Sequence, residues 1–235
     1  MYFQENKCFS FWSKTLDIEA LVIYSSNIMK KYLIIYCFAL LLSLSGNEVF
    51  FVPGWRTGSS SRDGCVRIMR DIWPGYDIFV KSWDSKTALA DAVDNAGVKA
   101  EKLKREIAAM PEARRKKLVL AGHSLGAAVV LDVLVFLAEN KMIVAEAALL
   151  GAPVAADDPK LLKAMDAVSG KCFNVAFTGD TLLKFLYSFK ASGLPLGVGG
   201  SRITHPRFVD HMVKNAPDLT NHFAYKYLEE LDRIK

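Results

Sequence analysis

Cysteine and histidine are scarce in this chain, whose 235 residues include four of each. Their spacing resembles no zinc site, so the sequence predicts neither a metal nor a cofactor. The excess of positive charge is small as well, because 30 lysines and arginines stand against 25 aspartates and glutamates. A net charge of +5 spread along the chain gives no reason to expect a nucleic-acid partner. Internal repeats and low-complexity tracts are also missing, and the 51% hydrophobic content predicts one globular domain.

The N-terminal region has the layout of a secretory signal. The stretch "MKKYLIIYCFALLLSLSG", residues 29–46, orders two lysines, an apolar run and small residues as a signal peptide does. We therefore expect a signal peptide or signal-anchor at 29–46, a mistranslated upstream segment or N-terminal extension at 1–28, and the folded domain at 47–235. The protein is then exported, either periplasmic or secreted, or held at a membrane by residues 29–46. The apolar run is short for a membrane span, which needs about 20 residues.

Beyond that segment, short aliphatic runs alternate with helical patterns. An alternation of this kind predicts a mostly parallel central sheet with helices on both faces, an α/β architecture. Residues 203–235 are expected to finish the chain with two helices, the first around "RFVDHMVKN" and the last around "NHFAYKYLEEL". Asp84 and Ser85 are expected to cap the long helix that follows them. The expected strands are "EVFFVPG", "YDIFVKSW", "KLVLAG", "AEAALLGAP" and "KCFNVAFTGD".

In open sheets of this class the active site lies at the carboxyl ends of the strands. Gly54, Ser124, Pro153 and Asp180 share that edge, whereas the basic run 114–117 falls at the opposite edge and is expected to be solvated surface. Two cysteines remain in the folded domain, and the sequence leaves open whether they pair or stay separate buried thiols: Cys65 and Cys172.

The stretch "GHSLG", residues 122–126, carries the strongest chemical signal. It matches G-x-S-x-G directly after a predicted strand and directly before an almost wholly apolar helix. The turn would present the Ser124 hydroxyl above the sheet, and the flanking glycines avoid a Cβ that would strike a neighbouring strand or helix. A helix N-terminus beneath the serine favours developing negative charge. This arrangement is typical of a nucleophile elbow.

With this motif, residues 48–234 resemble the α/β-hydrolase superfamily, in which the order is nucleophile, acid, histidine. Asp180, in "FTGD" after the fifth strand, fits the acid best, and it would also cap the next helix. Asp157 and Asp158 are rivals that look more like helix caps. His222 fits the base best, because it begins the last helix near the end of the domain. The other histidines outside the elbow are His205, in a loop, and His211, in the helix predicted around "RFVDHMVKN".

A narrower resemblance lies in the C-terminal part. The stretch "AFTGDTLLKFLYSFKASGLPLGVG" with the later "NHFAYKYL" is similar to a little-characterised esterase- or lipase-like branch of serine hydrolases found on some membrane and coiled-coil proteins. The resemblance implies hydrolysis of a small-molecule or lipid ester by Ser124, Asp180 and His222. An acyltransferase or a peptidase using the same triad, and a catalytically silent interaction module, are the alternatives. The oligomeric state is not readable.

Two further features of the site are expected. The oxyanion hole would use the backbone N–H of Leu125 and that of Trp55, where "PGWR" replaces the His-Gly common in the superfamily. Only about 20 residues separate the fourth and fifth strands, too few for a large cap domain. The apolar segment from Leu194 through Leu196 to Val198 is expected to wall the acyl pocket, while Phe185 and Leu186 are expected to pack under the sheet.

Overall fold

The computed structural model describes residues 31–32, 46–188 and 193–235. The chain divides into a unit before Gly46, of which only Lys31 and Tyr32 are described, and a unit running from Gly46 to Lys235. The predicted export signal at 29–46 therefore lies almost entirely outside the described residues and stays a prediction. Within the described part, none of the helices is both long and apolar enough to cross a bilayer.

Six strands of the described unit form one sheet in which every pairing is parallel. The spatial order is β2-β1-β3-β4-β5-β6, so the chain winds outward in both directions from β1 and β3. This confirms the fold class that the alternating sequence pattern predicts. The strands are β1 (Asn47–Val52), β2 (Tyr76–Val80), β3 (Leu118–His123), β4 (Glu146–Leu150), β5 (Cys172–Phe177) and β6 (Phe208–Val213).

Helices cover both faces of the sheet in the described unit. Two short 3₁₀ turns, Met165–Ala167 and Leu219–His222, accompany them. The α-helices are α1 (Ser59–Ile72), α2 (Leu89–Ala108), α3 (Glu112–Arg115), α4 (Leu125–Glu139), α5 (Pro159–Ala164), α6 (Thr181–Ser188), α7 (Leu196–Gly199) and α8 (Ala224–Ile234).

The core consists of two apolar layers separated by the sheet. Successive side chains of a strand point to opposite faces, so Phe50 and Val52 join the layer under α2, α4 and α5, whereas Val49 and Phe51 join the layer under α1 and α8. The inner strands β3 and β5 are buried along their whole length, as strands covered on both faces must be.

The two cysteines of the folded domain belong to different layers. Cys65, on the buried face of α1, belongs to the layer that α1 and α8 cover, whereas Cys172 of β5 belongs to the layer on the α4 side. Both thiols are free and buried, so the two cysteines do not form the disulfide that the sequence left open. Burial raises the pKa of the Cys65 thiol to about 11 and that of the Cys172 thiol to about 12.

Two sequence-based expectations are wrong in this region. The "RFVDHMVKN" stretch is not a helix but the edge strand β6, whose alternating partly buried and exposed side chains are typical of a strand with one covered face. Asp84 and Ser85 do not cap α2, which begins at Leu89 with Ala88 as its N-cap and without a side-chain cap. The backbone carbonyl of Ser85 instead accepts the Arg56 N–H, tying this loop to the one after β1.

The basic run at the amino-terminal edge of the strands is also more structured than predicted. It lies in and after the short helix α3, and Arg114 forms a bidentate ion pair with Glu48 of β1. Lys116 pairs with the exposed Glu112 within one helical turn. The run is therefore partly an anchor of β1, not only solvated surface.

Candidate active site

The serine turn joins β3 to α4 with no intervening residue other than Ser124. Ser124 has φ 53° and ψ −126°, a backbone conformation that residues with a Cβ rarely adopt. Such strain costs of the order of 1–3 kcal/mol and persists only where the surroundings impose it. The Ser124 N–H donates to the Leu150 carbonyl at the end of β4, which helps to hold the turn.

Both glycines of the motif are required by close backbone contacts. A Cβ on Gly122 would lie 2.3 Å from the Gly126 carbonyl oxygen, and a Cβ on Gly126 would lie 2.0 Å from the Val52 carbonyl oxygen. Backbone atoms cannot move aside as a flexible side chain can. The steric reason predicted for the "GHSLG" glycines is thus the one that the structure shows.

Asp180 follows β5 at the same edge of the sheet and is completely buried. Its Oδ1 accepts the Leu183 N–H at 2.8 Å, so the carboxylate caps α6 as the sequence predicts. Its Oδ2 lies 2.6 Å from His222 Nδ1 and accepts the Tyr227 O–H, also at 2.6 Å. Hydrogen bonds to its charged form compensate this carboxylate for the loss of water.

His222 ends the 3₁₀ turn Leu219–His222 and lies between Ser124 and Asp180. Its Nε2 is 2.9 Å from Ser124 Oγ, while its Nδ1 faces Asp180. A histidine that donates from Nδ1 to the carboxylate has an unprotonated Nε2, which can accept the serine proton. The structure therefore brings the three predicted residues into one continuous chain of hydrogen bonds.

The loops after β5 and β6 are joined to each other by several hydrogen bonds. The Gly179 N–H donates to Asn215 Oδ1, and the Gly179 carbonyl accepts from the Asp218 N–H. Asn221 Nδ2 bridges the Gly179 and Ala216 carbonyls, at 3.1 and 2.9 Å. Since Gly179 precedes Asp180 and Asn221 precedes His222, this network fixes the acid relative to the imidazole.

The rival acids and histidines lie elsewhere. Asp158 caps α5 and Asp157 pairs with Arg202 on the surface. His205 accepts the Arg207 N–H in its own loop, and His211 of β6 faces Glu230 of α8. Each has a local structural contact, and none of these four residues is hydrogen-bonded to Ser124 in the described part of the chain.

His123 of the elbow is buried directly beside the site. Its ring centroid lies 4.9 Å from that of His222, and neither of its ring nitrogens has a hydrogen-bond partner in the described structure. Burial, and secondarily the neighbouring His222, hold the pKa of His123 well below its usual value. His123 is therefore a neutral packing residue, which agrees with the sequence-based interpretation.

A cavity of about 480 Å³ opens beside Ser124. Residues from the start of α2 and from α6 line it, and most of the surface offered to a ligand is apolar. Asp94 is the charged residue on this lining. The lining residues are Trp55, Leu89, Ala90, Val93, Asp94, Ser124, Leu125, Pro153, Leu183, Leu186 and Tyr187.

Leu125 and Trp55, the predicted oxyanion-hole donors, both line this cavity. Leu125 is the first residue of α4, and Trp55 follows β1, where its indole N–H donates to the Thr87 carbonyl at 3.0 Å. The loop after β1 passes close to the nucleophile, because a Cβ on Gly54 would lie 2.8 Å from Ser124 Cβ. Both backbones are thus placed beside the serine.

The prediction of the residues that form the acyl-pocket wall is wrong. Leu196 is fully buried in the core layer of α4, and Leu194 is exposed; neither lines the cavity. Leu186 lines it instead, and Phe185 is exposed, so neither packs under the sheet. The apolar composition of 194–198 reflects the packing of α7, where a Cβ on Gly197 would lie 2.3 Å from the Gly151 carbonyl carbon.

Sequence reasoning missed Tyr227 as part of the site. Its hydroxyl reaches Asp180 from the interior face of α8, a contact between residues 47 positions apart. The available signal was weak: Tyr227 lies on the buried stripe of an amphipathic helix, where tyrosine needs a partner for its hydroxyl. Among the described residues, no cluster of His, Cys, Asp or Glu is arranged to hold a metal ion.

The parallel sheet and the serine elbow place the chain in the α/β-hydrolase class of folds. Within that class the chain belongs to the family described as protein of unknown function (DUF726), whose model matches residues 87–230. The matched stretch contains all three residues of the hydrogen-bonded chain. A search of curated proteins gives no match.

Solved structures with a similar architecture include esterase PE8, with 13% identity, a TM-score of 0.49, and coverage of 80% of this chain and 90% of that one. Esterase Pf2001 of Pyrococcus furiosus has 14% identity and a TM-score of 0.45, with 80% and 81% covered. The RedJ thioesterase of prodiginine biosynthesis in Streptomyces coelicolor has 12% identity and a TM-score of 0.44, with 79% and 84% covered. At these values the likeness does not identify a reaction, which must be inferred from the site itself.

Proposed function

We propose that this protein is a serine hydrolase that cleaves carboxylic esters through an acyl-enzyme intermediate. The observation that carries the proposal is the continuous chain from Ser124 Oγ through His222 to Asp180, with 2.9 and 2.6 Å between neighbouring atoms. A serine hydroxyl is a weak nucleophile unless a base lies within hydrogen-bond reach, and here one does. The buried carboxylate orients that base and offsets the charge it acquires.

In the first half of the reaction, His222 Nε2 takes the proton of Ser124 while Oγ attacks the ester carbonyl carbon. The carbonyl oxygen becomes an oxyanion, and the backbone N–H groups of Leu125 and Trp55 are proposed as its donors. Collapse of the tetrahedral species expels the alkoxide, which leaves as the alcohol after accepting the proton from His222. The acyl group stays on Ser124 as an ester.

In the second half, water takes the place of the alcohol. His222 removes a proton from the water as it attacks the acyl carbon, and the second tetrahedral species is held by the same amides. Its collapse returns the proton to Ser124 and releases the carboxylic acid. An acceptor alcohol in place of water would make the same site an acyltransferase, and an amide in place of the ester would make it a peptidase; these two are the alternatives among enzymes.

The apolar cavity supports an acyl chain as the group bound next to Ser124. Leu89 and Val93 of α2 face the cavity together with Leu183 and Leu186 of α6. Each methylene buried there contributes about 0.8 kcal/mol. We therefore propose that the enzyme prefers medium-length acyl chains to acetate, with α2 and α6 as the walls of the pocket.

The first experiment tests the nucleophile. A fluorophosphonate probe should label the full chain at Ser124, and Ser124→Ala should lose labelling and reduce hydrolysis of a p-nitrophenyl ester by roughly 10³-fold or more with the fold intact. Ser188→Ala is the matched control, because it removes an exposed serine hydroxyl from neighbouring α6. Undiminished turnover by Ser124→Ala would overturn the proposal, and an unlabelled, inactive wild-type protein would favour a silent interaction module.

The second experiment tests the acyl pocket. In Leu186→Ser the ratio of kcat/KM for octanoate over acetate esters should fall by about 10-fold, since a buried leucine is worth about 1.5–3 kcal/mol of apolar contact. Leu194→Ser is the control: it makes the same change at an exposed site off the cavity and should leave the chain-length profile as in wild type. Identical profiles for both variants would place the acyl chain elsewhere.

A further inference from the structure

Tyr227 makes a contact that a serine hydrolase triad does not require. Its hydroxyl donates to Asp180 Oδ2 at 2.6 Å, the same oxygen that faces His222 Nδ1 at 2.6 Å. The phenol is fully buried, and no carbonyl competes for its proton in the hydrogen bonds described. We propose that Tyr227 is a positioning residue that sets both the orientation and the effective charge of Asp180 toward His222. The proposal rests on the serine hydrolase function of the site.

The surroundings hold the phenol ring in one place. Phe177 at the end of β5 packs edge-on against it, with centroids 4.5 Å apart, and His123 lies at 5.5 Å. On the side of β4 the chain has Gly151, where a Cβ would lie 2.8 Å from the ring carbon that bears the hydroxyl. Glycine at position 151 therefore leaves space for the hydroxyl end of the Tyr227 ring, which any side chain at that position would displace.

Asp180 needs such a donor because its charge is otherwise poorly compensated. The carboxylate is completely buried, and the proposed reaction requires the imidazole beside it to be neutral before Ser124 attacks. Its compensation comes from three hydrogen bonds, donated by Leu183 N–H, Tyr227 O–H and His222 Nδ1–H. Without Tyr227, Oδ2 would have His222 as its sole donor among these, and the carboxylate would be freer to rotate.

Tyr227 stays protonated, as the role requires. Burial, followed by the negative charge of Asp180 and the hydrogen bond to it, raises the pKa of Tyr227 well above its ordinary value. The hydroxyl is thus protonated, and able to donate, at neutral pH. The phenol acts by withdrawing charge from Oδ2, not by transferring a proton.

The other titratable or charged groups near Tyr227 and Asp180 are either neutral or bonded to other residues. His123 is neutral because burial lowers its pKa, and from α8 Lys226 reaches Thr220 and Asn221. Asp218 is exposed and bonds to Thr220, whereas α6 meets Asp180 through backbone N–H groups.

The sign of the effect follows from the charge on Oδ2. Removing the Tyr227 donor leaves more negative charge facing His222, so protonation of the imidazole becomes more favourable. Neutral imidazole is the form that accepts the Ser124 proton. In Tyr227→Phe the acid limb of the kcat/KM profile should therefore move to higher pH, by about one unit, and kcat at neutral pH should fall about 10-fold with little change in KM.

The experiment combines Tyr227→Phe with Asp180→Asn in the full chain. In the Asp180→Asn background the carboxylate charge is absent, so adding Tyr227→Phe should change kcat by less than about 2-fold and move no pH limb. Two controls lie on the same helix: Tyr225→Phe removes a partly exposed hydroxyl, and Leu231→Ala weakens the same core layer. Both should keep the wild-type acid limb even where stability falls.

A readout that does not depend on turnover completes the test. The Nδ1–H proton of His222 should give a downfield NMR resonance in wild type, and Tyr227→Phe should shift it while Tyr225→Phe should not. An unmoved acid limb, or an equal penalty from Tyr227→Phe in both backgrounds, would overturn the positioning role while Ser124→Ala still abolishes activity. Full activity of Ser124→Ala would instead overturn the function on which this inference rests.

Discussion

The two edges of the sheet each contain a buried carboxylate, but they compensate its charge in opposite ways. At the amino-terminal edge, Glu48 is 8% exposed and Arg114 donates to both of its carboxylate oxygens, at 2.8 and 3.1 Å. At the carboxyl-terminal edge, Asp180 is 0% exposed, and its carboxylate is hydrogen-bonded to a backbone N–H, a tyrosine hydroxyl and the His222 imidazole. One carboxylate has a permanent cation, and the other has a base that can become one.

The difference indicates what each edge does. An arginine cannot lose its proton in a protein, so the Glu48–Arg114 pair is fixed and serves to hold α3 against β1. A histidine acquires charge only when it takes a proton, so in the proposed reaction Asp180 would stabilise a state that exists transiently. We infer that the amino edge is built for stability and the carboxyl edge for proton transfer.

The largest expected effect is on activity at the carboxyl edge. Asp180→Asn should reduce kcat by roughly 10³–10⁴-fold, because an amide neither stabilises the imidazolium nor fixes the tautomer of His222. Its free energy of unfolding should stay close to that of wild type, since the substitution removes a buried charge while keeping the side-chain shape. Ester hydrolysis and urea denaturation of the same preparation measure both quantities.

An Asp180→Asn protein that keeps its activity but loses several kcal/mol of stability would break the comparison, because Asp180 would then behave as Glu48 is expected to. Asp158→Asn offers a control at the same edge. Asp158 caps α5 and is not among the hydrogen-bond partners described for Ser124 and His222, so its substitution should leave kcat within about 2-fold.

The next effect is on stability at the amino edge. Arg114→Met keeps much of the aliphatic side chain but leaves the buried Glu48 carboxylate without its donor, which costs about 1–3 kcal/mol. The kcat of this variant should equal that of wild type, since α3 lies at the edge away from Ser124. Lys116→Met is the matched control, because its partner Glu112 is exposed and such pairs contribute about 0–1 kcal/mol.

Equal losses of stability in Arg114→Met and Lys116→Met, measured by urea denaturation, would contradict this interpretation. Such a result would mean that the burial of Glu48 adds nothing to the stability that its ion pair with Arg114 contributes. A fall in kcat with Arg114→Met would show that the two edges are coupled through β1, whose far end leads to Gly54 and Trp55.

The smallest effect is expected at Lys235, also at the amino edge. Its ammonium lies 2.8 Å from Glu146 of β4, but the same carboxylate oxygen accepts the indole N–H of Trp73 at 2.9 Å. Lys235→Met should therefore cost less than about 1 kcal/mol and leave kcat unchanged, because the remaining donor and water still compensate Glu146. A loss as large as that of Arg114→Met would show that a second donor does not substitute for a cation.

The sequence predicted the inner strands and the serine turn because each rests on a local signal, whereas the order Ser124, Asp180, His222 is what the resemblance to the α/β-hydrolase superfamily implies. A run of aliphatic residues ending at glycine is enough to indicate a buried strand, and the elbow is confirmed by what precedes and follows it. The prediction for the edge strand β6 is wrong because Asp210 and His211 interrupt its apolar residues, so that its identity depends on pairing with β5.

The residues that line the cavity could not be predicted from the sequence, for a related reason. Leu194 and Leu186 are both leucines in an apolar stretch after the predicted acid, and nothing local distinguishes the one that faces Ser124. The distinction arises from where α6 and α7 pack against the sheet. The same holds for Tyr225 and Tyr227, two residues apart on α8, of which the second alone points into the core.

The sequence by itself thus determined the serine turn, because the sterics of Gly122 and Gly126 act between segments that any sheet of this class brings together. The resemblance to the α/β-hydrolase superfamily added the order in which acid and histidine follow the serine. Only the tertiary structure decided that Tyr227 meets Asp180, that α2 and α6 enclose the cavity, and that Arg114 pairs with Glu48. These contacts join residues far apart in the chain, and their partners are selected by how whole elements pack.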